Sequence, residues 1–389
     1  MHVEGFLHTL LGPVIHQNRV KVISEVVQGV IQAKQLQLTA VGRSLNMDIQ
    51  ERSGIQKTNR LLANEHLWNE REEISRCVIQ VLVGVKKHPV VLVDWTKYPN
   101  SSDVVLRASL AAEGRALTLY EERHSAKKLG NKKIEKRFLR ALKRLLPSGC
   151  HPIVVTDAGF HNDWFKECIR LGWDYLGRIR GAKKYRRQDQ KEFHPCSELW
   201  GLAKTYTRCL GELVVTRKNP WLGYCYVVKS KLQGRKAFTK GGDLRKDKDS
   251  KAYSRSHREP WLLISSLHGR GAAKKVKAIY ERRMSIEEAF RDLKSSRYGF
   301  GLEDSKTYKK KRRDIWLLIG MLATLIAWLT GRMGEQKGLH YQFQSNSIKK
   351  RRVLSLFYLG CQLIRKKVRF TLDALWKAIA SLRKEAAYG

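Results

Sequence analysis

Four polar residues near the end of the chain's third quarter, Tyr280, Arg283, Glu287 and Lys294, stand at successive spacings of three, four and seven. On one continuous helix, at about 100° per residue, they share an arc of roughly 60°. Such a stripe would offer a phenol, a guanidinium, a carboxylate and an ammonium to a cleft. Ile279, Ile286, Phe290 and Leu293 on the adjoining arc would pack the helix by its flank. Taken alone, Arg283 and Glu287 also have the spacing of a routine ion pair worth about 0.2–0.5 kcal/mol, and spacing by itself favours an ordinary surface helix. Two aspartates change the weighing. Asp94 closes the apolar run Val90-Val91-Leu92-Val93, and Asp157 closes Ile153-Val154-Val155-Thr156. An Asp at the end of each of two buried-type strands and a Glu on a later helix make three carboxylates that repel one another unless a cation holds them. That is the equipment of metal-assisted phosphoryl transfer, in which two Mg²⁺ about 3.5–4 Å apart serve the attacking and leaving oxygens of a phosphodiester. Carboxylates select Mg²⁺ or Mn²⁺ over zinc.

The elements that must position these groups follow from periodicity. Residues 1–85 read as helical, with apolar repeats in Val20–Gln35 and Leu61–Val83. Between them, Leu38–Leu45 has Thr39 as a candidate cap and Gly42 for a close turn, the pattern of a small helical DNA-binding module. From Pro89 the pattern turns to strands. Val90–Trp95, Val104–Ala112 and Ala116–Glu121 form a meander, Lys132–Leu146 a helix, Pro152–Asp157 a strand, Asp163–Leu171 a helix and Trp173–Ile179 a strand. This order predicts an α/β layer with a mixed sheet. Residues 182–268 carry β-type runs at Glu212–Arg217, Gly223–Lys231 and Trp261–Leu267, with a basic, Gly- and Ser-rich loop at Leu232–Arg258. Ala272–Lys294 reads as one helix, and Ile315–Leu329, Val353–Ile364 and Leu372–Ala387 as three more. The predicted segments are therefore a helical DNA-binding region (1–85), the first part of a core (86–181), a strand-rich insertion (182–268), the third-acid helix (269–305) and a C-terminal helical region (306–389).

Charge indicates the partner. Lys and Arg number 76 against 36 Asp and Glu, a formal charge of +40 over 389 residues, so a polyanion is expected. The basic residues run along the whole chain instead of flanking one apolar span, which favours nucleic acid over a membrane. The apolar stretch Ile315–Leu329 is shorter than the roughly 20 residues of a spanning helix and reads as a buried helix. The seven scattered cysteines, without a CxxC pair, read as reduced thiols. No basic leader or cleavage site precedes Asn18, so a cytoplasmic location is expected. The basic runs Lys309–Arg313, Lys349–Arg352 and Arg365–Arg369 read as backbone-phosphate contacts. None of the histidines has the pairing of a catalytic or metal motif.

Tyr280-x2-Arg283-x3-Glu287-x6-Lys294, Val91-Leu92-Val93-Asp94-Trp95 and Thr156-Asp157-Ala158-Gly159-Phe160 together resemble the DDE transposases of bacterial insertion sequences that bear the Tyr-Arg-Glu-Lys signature, the IS-four family. The likeness is nearest to the subgroup of insertion sequence ten, and Leu117–Glu121 and Arg291–Lys294 add to it. Three motifs in order are specific where one alone would be weak. The resemblance implies a ribonuclease-H-like core, interrupted before the third acid by a strand-rich insertion for which the 130 positions from Asp157 to Glu287 leave room. It implies Asp94, Asp157 and Glu287 as ligands of two Mg²⁺ (or Mn²⁺) ions, and Tyr280, Arg283 and Lys294 as phosphate contacts near the cleaved end. It further implies that Trp261 stacks on a base flipped from the duplex. The expected activity is cut-and-paste transposition by strand cleavage, a hairpin intermediate and strand transfer. The expected partners are the terminal inverted repeats and target DNA, bound by a dimer that forms on DNA. A nuclease of the same core without strand transfer, and a non-catalytic DNA-binding protein, are the rivals.

Overall fold

The computed structural model describes residues 3–45, 50–229 and 259–386. In chain order the helices are α1 (Val3–Leu11), α2 (Gln17–Ala33), α3 (Leu38–Arg43), α4 (Glu51–Leu62), α5 (Glu65–Asn69), α6 (Arg71–Val83), α7 (Lys132–Leu145), α8 (Asn162–Arg170), α9 (Ala272–Glu281), α10 (Met284–Lys294), α11 (Lys310–Gln336), α12 (Leu356–Arg365) and α13 (Leu372–Ala386). The strands are β1 (Val90–Lys97), β2 (Asp103–Ala111), β3 (Ala116–Ser125), β4 (Ile153–Val155), β5 (Asp174–Ile179), β6 (Lys184–Arg186), β7 (His194–Pro195), β8 (Arg208–Val215), β9 (Trp221–Val228) and β10 (Trp261–Ser265). The predicted α/β class, with mixed strand pairing and flanking helices, is the architecture found. Two compact units form, one from Met1–Pro152 with Met284–Gly389 and the other from Ile153–Arg283.

In the first unit β1, β2 and β3 make the expected antiparallel meander, with Asp94 opposite Arg107 and Arg107 opposite Glu121. All nine residues of β2 are buried, so helices must cover both of its faces. α10 packs against all three strands, and α6 against β3. α7 starts where the Asn131 side chain accepts the N–H groups of Lys133 and Ile134 at 3.1 and 3.2 Å. Asp314 of α11 ties three regions together, accepting from Trp68 Nε1 at 3.0 Å and Arg123 Nε at 2.6 Å and pairing with Arg71 at 3.1 Å.

The apolar run expected at Ile315–Leu329 is the middle of α11, which by length and composition passes for a membrane span and is buried inside this unit. α2, α12 and α13 cover it. Glycines let α12 approach as backbone on backbone: a Cβ at Gly331 would strike the Leu356 carbonyl, and one at Gly360 the Ala327 carbonyl.

The second unit is a seven-stranded mixed sheet in the order β4-β5-β10-β9-β8-β6-β7, parallel only between β4 and β5. α8 packs on β5. Asn162, at the first position of α8, donates to the carbonyls of Val215 and Asn219 at 3.0 and 2.6 Å and so fastens the β8–β9 turn.

Four expectations need correction. Leu61–Val83 is not one helix, because the Asn64 side chain takes the Leu67 N–H at 2.8 Å and starts α5 afresh, and a further turn at Glu70 precedes α6. Thr39 caps nothing: α3 already begins at Leu38 after an uncapped Gln37. Gly42 lies inside α3, where a Cβ would be 2.5 Å from Ile55 Cα, so it serves close helix packing and not a turn. Finally, Ala272–Lys294 is broken at Arg282-Arg283, whose N–H groups reach back three residues, to Ile279 and Tyr280, at 3.2 and 3.0 Å. That tightened turn ends α9. The basic loop expected at Leu232–Arg258 lies outside the described residues.

Candidate active site

The first unit presents Asp94, Glu287 and Lys294. Asp94 is half-buried on β1, which runs on to Lys97 instead of ending at the acid. Its Oδ1 accepts the Trp95 N–H at 2.8 Å. Alternation along the strand sends Trp95 to the opposite face, where its indole N–H donates to Glu135 at 3.1 Å and its ring stands edge-on to His124 at 5.8 Å. Thr96, two residues on from Asp94, accepts a hydrogen bond from the Lys294 ammonium. Glu287, Phe290 and Lys294 share a face of α10 by their spacing, with Glu287 exposed in its first turn. The Phe290 ring lies 4.9 Å from the Arg107 guanidinium and 5.2 Å from the Lys294 ammonium. Burial, reinforced by the neighbouring Arg107 charge and opposed by Asp94, pulls the Lys294 pKa down to about 8.

The second unit presents Asp157, Tyr280, Arg283 and Trp261. Asp157 lies two residues past the end of β4, half-buried, its Oδ1 accepting the Gly159 N–H at 2.8 Å. Trp261 opens β10 as expected and meets Tyr280 edge-on, ring centres 5.0 Å apart. Tyr280 was expected to face a cleft, but only 3% of it is exposed. Burial raises its pKa and Asp157 adds to that, while Arg283, hydrogen-bonded to it, and Arg178 act against it.

Arg178 is the functional candidate that sequence reasoning missed. In the parallel β4–β5 register Val155 pairs with Leu176, and two residues further along each chain come Asp157 and Arg178. Burial lowers the Arg178 pKa, as do the Arg180 and Arg283 charges, and its buried Nε has no hydrogen-bond partner among the described residues. A part-buried guanidinium in cationic company is stabilised by an anion, and a phosphate oxygen suits its planar donors. The signal available in the sequence was a lone basic residue in the otherwise uncharged run Tyr175–Ile179.

The single-face stripe does not form. Tyr280 and Arg283 fall in one unit, Glu287 and Lys294 in the other, because the chain turns at Arg282-Arg283. Among the described residues, no group of three His, Cys, Asp or Glu side chains is placed to hold a metal ion. The donors nevertheless suit a hard divalent cation in kind. They are carboxylates, and both aspartates are oriented by a backbone N–H on one oxygen, as ligating carboxylates commonly are.

No curated protein matches the chain. A family model described as the transposase DDE domain matches residues 86–325, a span that contains Asp94, Asp157 and Glu287. That span exceeds half of the chain, and the protein belongs to the DDE transposase family.

Proposed function

We propose that the protein moves an insertion sequence by cutting DNA at the element's ends and joining the freed ends to target DNA. The observation that carries this reading is the transposase-domain match over a span that includes all three acids. Asp94, Asp157 and Glu287 are the ligands of two Mg²⁺ ions, or Mn²⁺ in their place. The ions would lower the cost of activating water and of expelling the 3′-oxygen at the scissile phosphate. Arg283, Lys294 and Arg178 hold phosphate oxygens, Arg by paired donors and Lys as a point charge. Tyr280, beside Arg283, orients that guanidinium and joins the phosphate contact, while Trp261 receives a flipped base. Cleavage proceeds through a hairpin, and a dimer on DNA joins two ends, as in the insertion-sequence-ten subgroup of the IS-four family that the motifs resemble. The site of action is the bacterial nucleoid.

The test is a supercoiled plasmid carrying the element ends, incubated with Mg²⁺. Wild-type protein is expected to release the element and yield joined products, while Glu287→Ala leaves the plasmid uncut. Equal cutting by the variant refutes the assignment. Cutting without joined products identifies a nuclease, and metal-independent binding without cutting a DNA-binding protein.

A further inference from the structure

α7 supplies none of the metal-ligand or phosphate-contact residues named above, yet it is the most strongly polarised helix among the described residues. Seven of its fourteen residues are Lys or Arg and one is acidic. At 100° per residue the seven cations fall within about 140° of arc, with Lys133, Arg137, Arg140 and Arg144 forming one ridge of it. Those four are exposed. The opposite arc carries Phe138, Leu139, Leu142 and Leu145, all buried. The one acid, Glu135, turns inward, 4% exposed, and accepts the Trp95 indole N–H. The outward face therefore has no carboxylate of its own; Glu122 of β3 reaches Arg137 at 2.7 Å from beside it. Lys127 and Lys128, in the turn before the helix, extend the exposed positive surface.

A solvated surface would be served by mixed charges. Here an excess of six positive charges is gathered on fourteen residues, where the chain as a whole carries +40 over 389. The helix is about 21 Å long at 1.5 Å per residue, the axial length of about six base pairs at 3.4 Å of rise each. It contains no Asn, Gln, Ser or Thr, so the side chains that pair with adenine are absent, and although Arg and Lys can reach guanine edges, most protein–DNA hydrogen bonds go to phosphate and sugar.

We propose that the exposed face of α7 holds double-stranded DNA by its backbone, independently of sequence, and that this duplex is the target DNA. The second half of the inference rests on the transposase reading: the element ends have a fixed sequence to be read, whereas the acceptor does not, and a face of Lys and Arg alone suits the acceptor.

The experiment measures binding of a random-sequence duplex lacking element ends, by fluorescence anisotropy between 50 and 200 mM salt, for the full chain and for Lys133→Gln/Arg140→Gln/Arg144→Gln. Losing three phosphate contacts is expected to make the log–log salt slope shallower by about 2.7 and the affinity at 100 mM at least tenfold weaker. Release of the element from plasmid should be unchanged while joined products fall in the same proportion. The charge-preserving Lys133→Arg/Arg140→Lys/Arg144→Lys should keep the wild-type slope, which separates lost charge from lost folding. An unchanged slope and affinity in the Gln variant overturns the proposal. So does weakened binding to vesicles containing phosphatidylserine with DNA binding intact. If wild-type protein fails to cut element ends, the transposase reading fails, and the salt-slope comparison still decides whether this face binds DNA.

Discussion

Arg107→Met should be one of the most damaging single changes near the site, although Arg107 is not among the expected metal ligands or phosphate contacts. Its side chain is 3% exposed and that of its partner Glu121 10%. Both guanidinium contacts, Nε at 2.8 Å and Nη2 at 2.7 Å, go to one Glu121 oxygen. The other oxygen is buried without a hydrogen-bond partner among the described residues. Methionine retains much of the packing volume but strands the carboxylate, and removing one member of a buried pair costs about 3–5 kcal/mol. Loss of the cation at the Phe290 ring adds about 1–2 kcal/mol, which puts the sum at about 4–7 kcal/mol. Against a total stability of about 5–15 kcal/mol this is a large fraction. Urea unfolding followed by far-ultraviolet circular dichroism measures it. Arg107→Met/Glu121→Leu, which removes both charges, should recover most of the loss, because apolar replacement of a buried pair is commonly neutral or stabilising. A loss below about 1 kcal/mol for Arg107→Met, or a double variant no more stable than the single one, refutes the view that a desolvated ion pair fixes the sheet under α10.

Lys294 gives a pH signature. Its folded pKa of about 8 lies below the ordinary lysine value of about 10.4, so between the two the unfolded chain binds more protons and stability rises with pH, the penalty being complete below about 8. Lys294→Met should flatten that rise in melting temperatures taken from pH 7.5 to 10.5; a profile identical to wild type contradicts the assignment. Gly54→Ala places a Cβ against the Gly42 carbonyl, backbone that cannot rotate aside, and should cost about 1–3 kcal/mol; an unaltered thermal midpoint refutes the close α3–α4 crossing. Trp261→Ala should abolish the fluorescence rise of a 2-aminopurine placed next to the cut, with about 1–3 kcal/mol of stacking lost. A full rise in the variant removes Trp261 from that role.

Patterns that depend on near neighbours were legible in the residues. The meander of β1–β3, the capped helix α7 and the long buried α11 all follow from apolar period and turn residues, because each buries a face that the local spacing already marks. The break between α9 and α10 was not. Apolar positions recur at helical spacing on both sides of Arg282-Arg283, and periodicity does not register two backbone N–H groups that reach three residues back instead of four. Arg178 was missed for a different reason. Its meaning comes from a parallel register with β4 and from Tyr280, more than a hundred positions away, and an arginine inside a strand carries no such mark. Asp94, Asp157 and Glu287 stood out in the sequence because carboxylates beside apolar runs are conspicuous. Their split between two separately compact units reflects long-range contacts that no window of residues contains.

The covering of α11 bears on how the enzyme is made. During synthesis this segment emerges ahead of the two helices that later enclose it, and its composition is that of a lipid-spanning stretch. A polypeptide halted between Gln336 and Leu356 would lack α12 and α13 and leave the flank of α11 that they cover open to self-association or to capture by quality-control machinery. Burial of that flank of α11 therefore waits on α12 and α13, two helices that leave the ribosome after it.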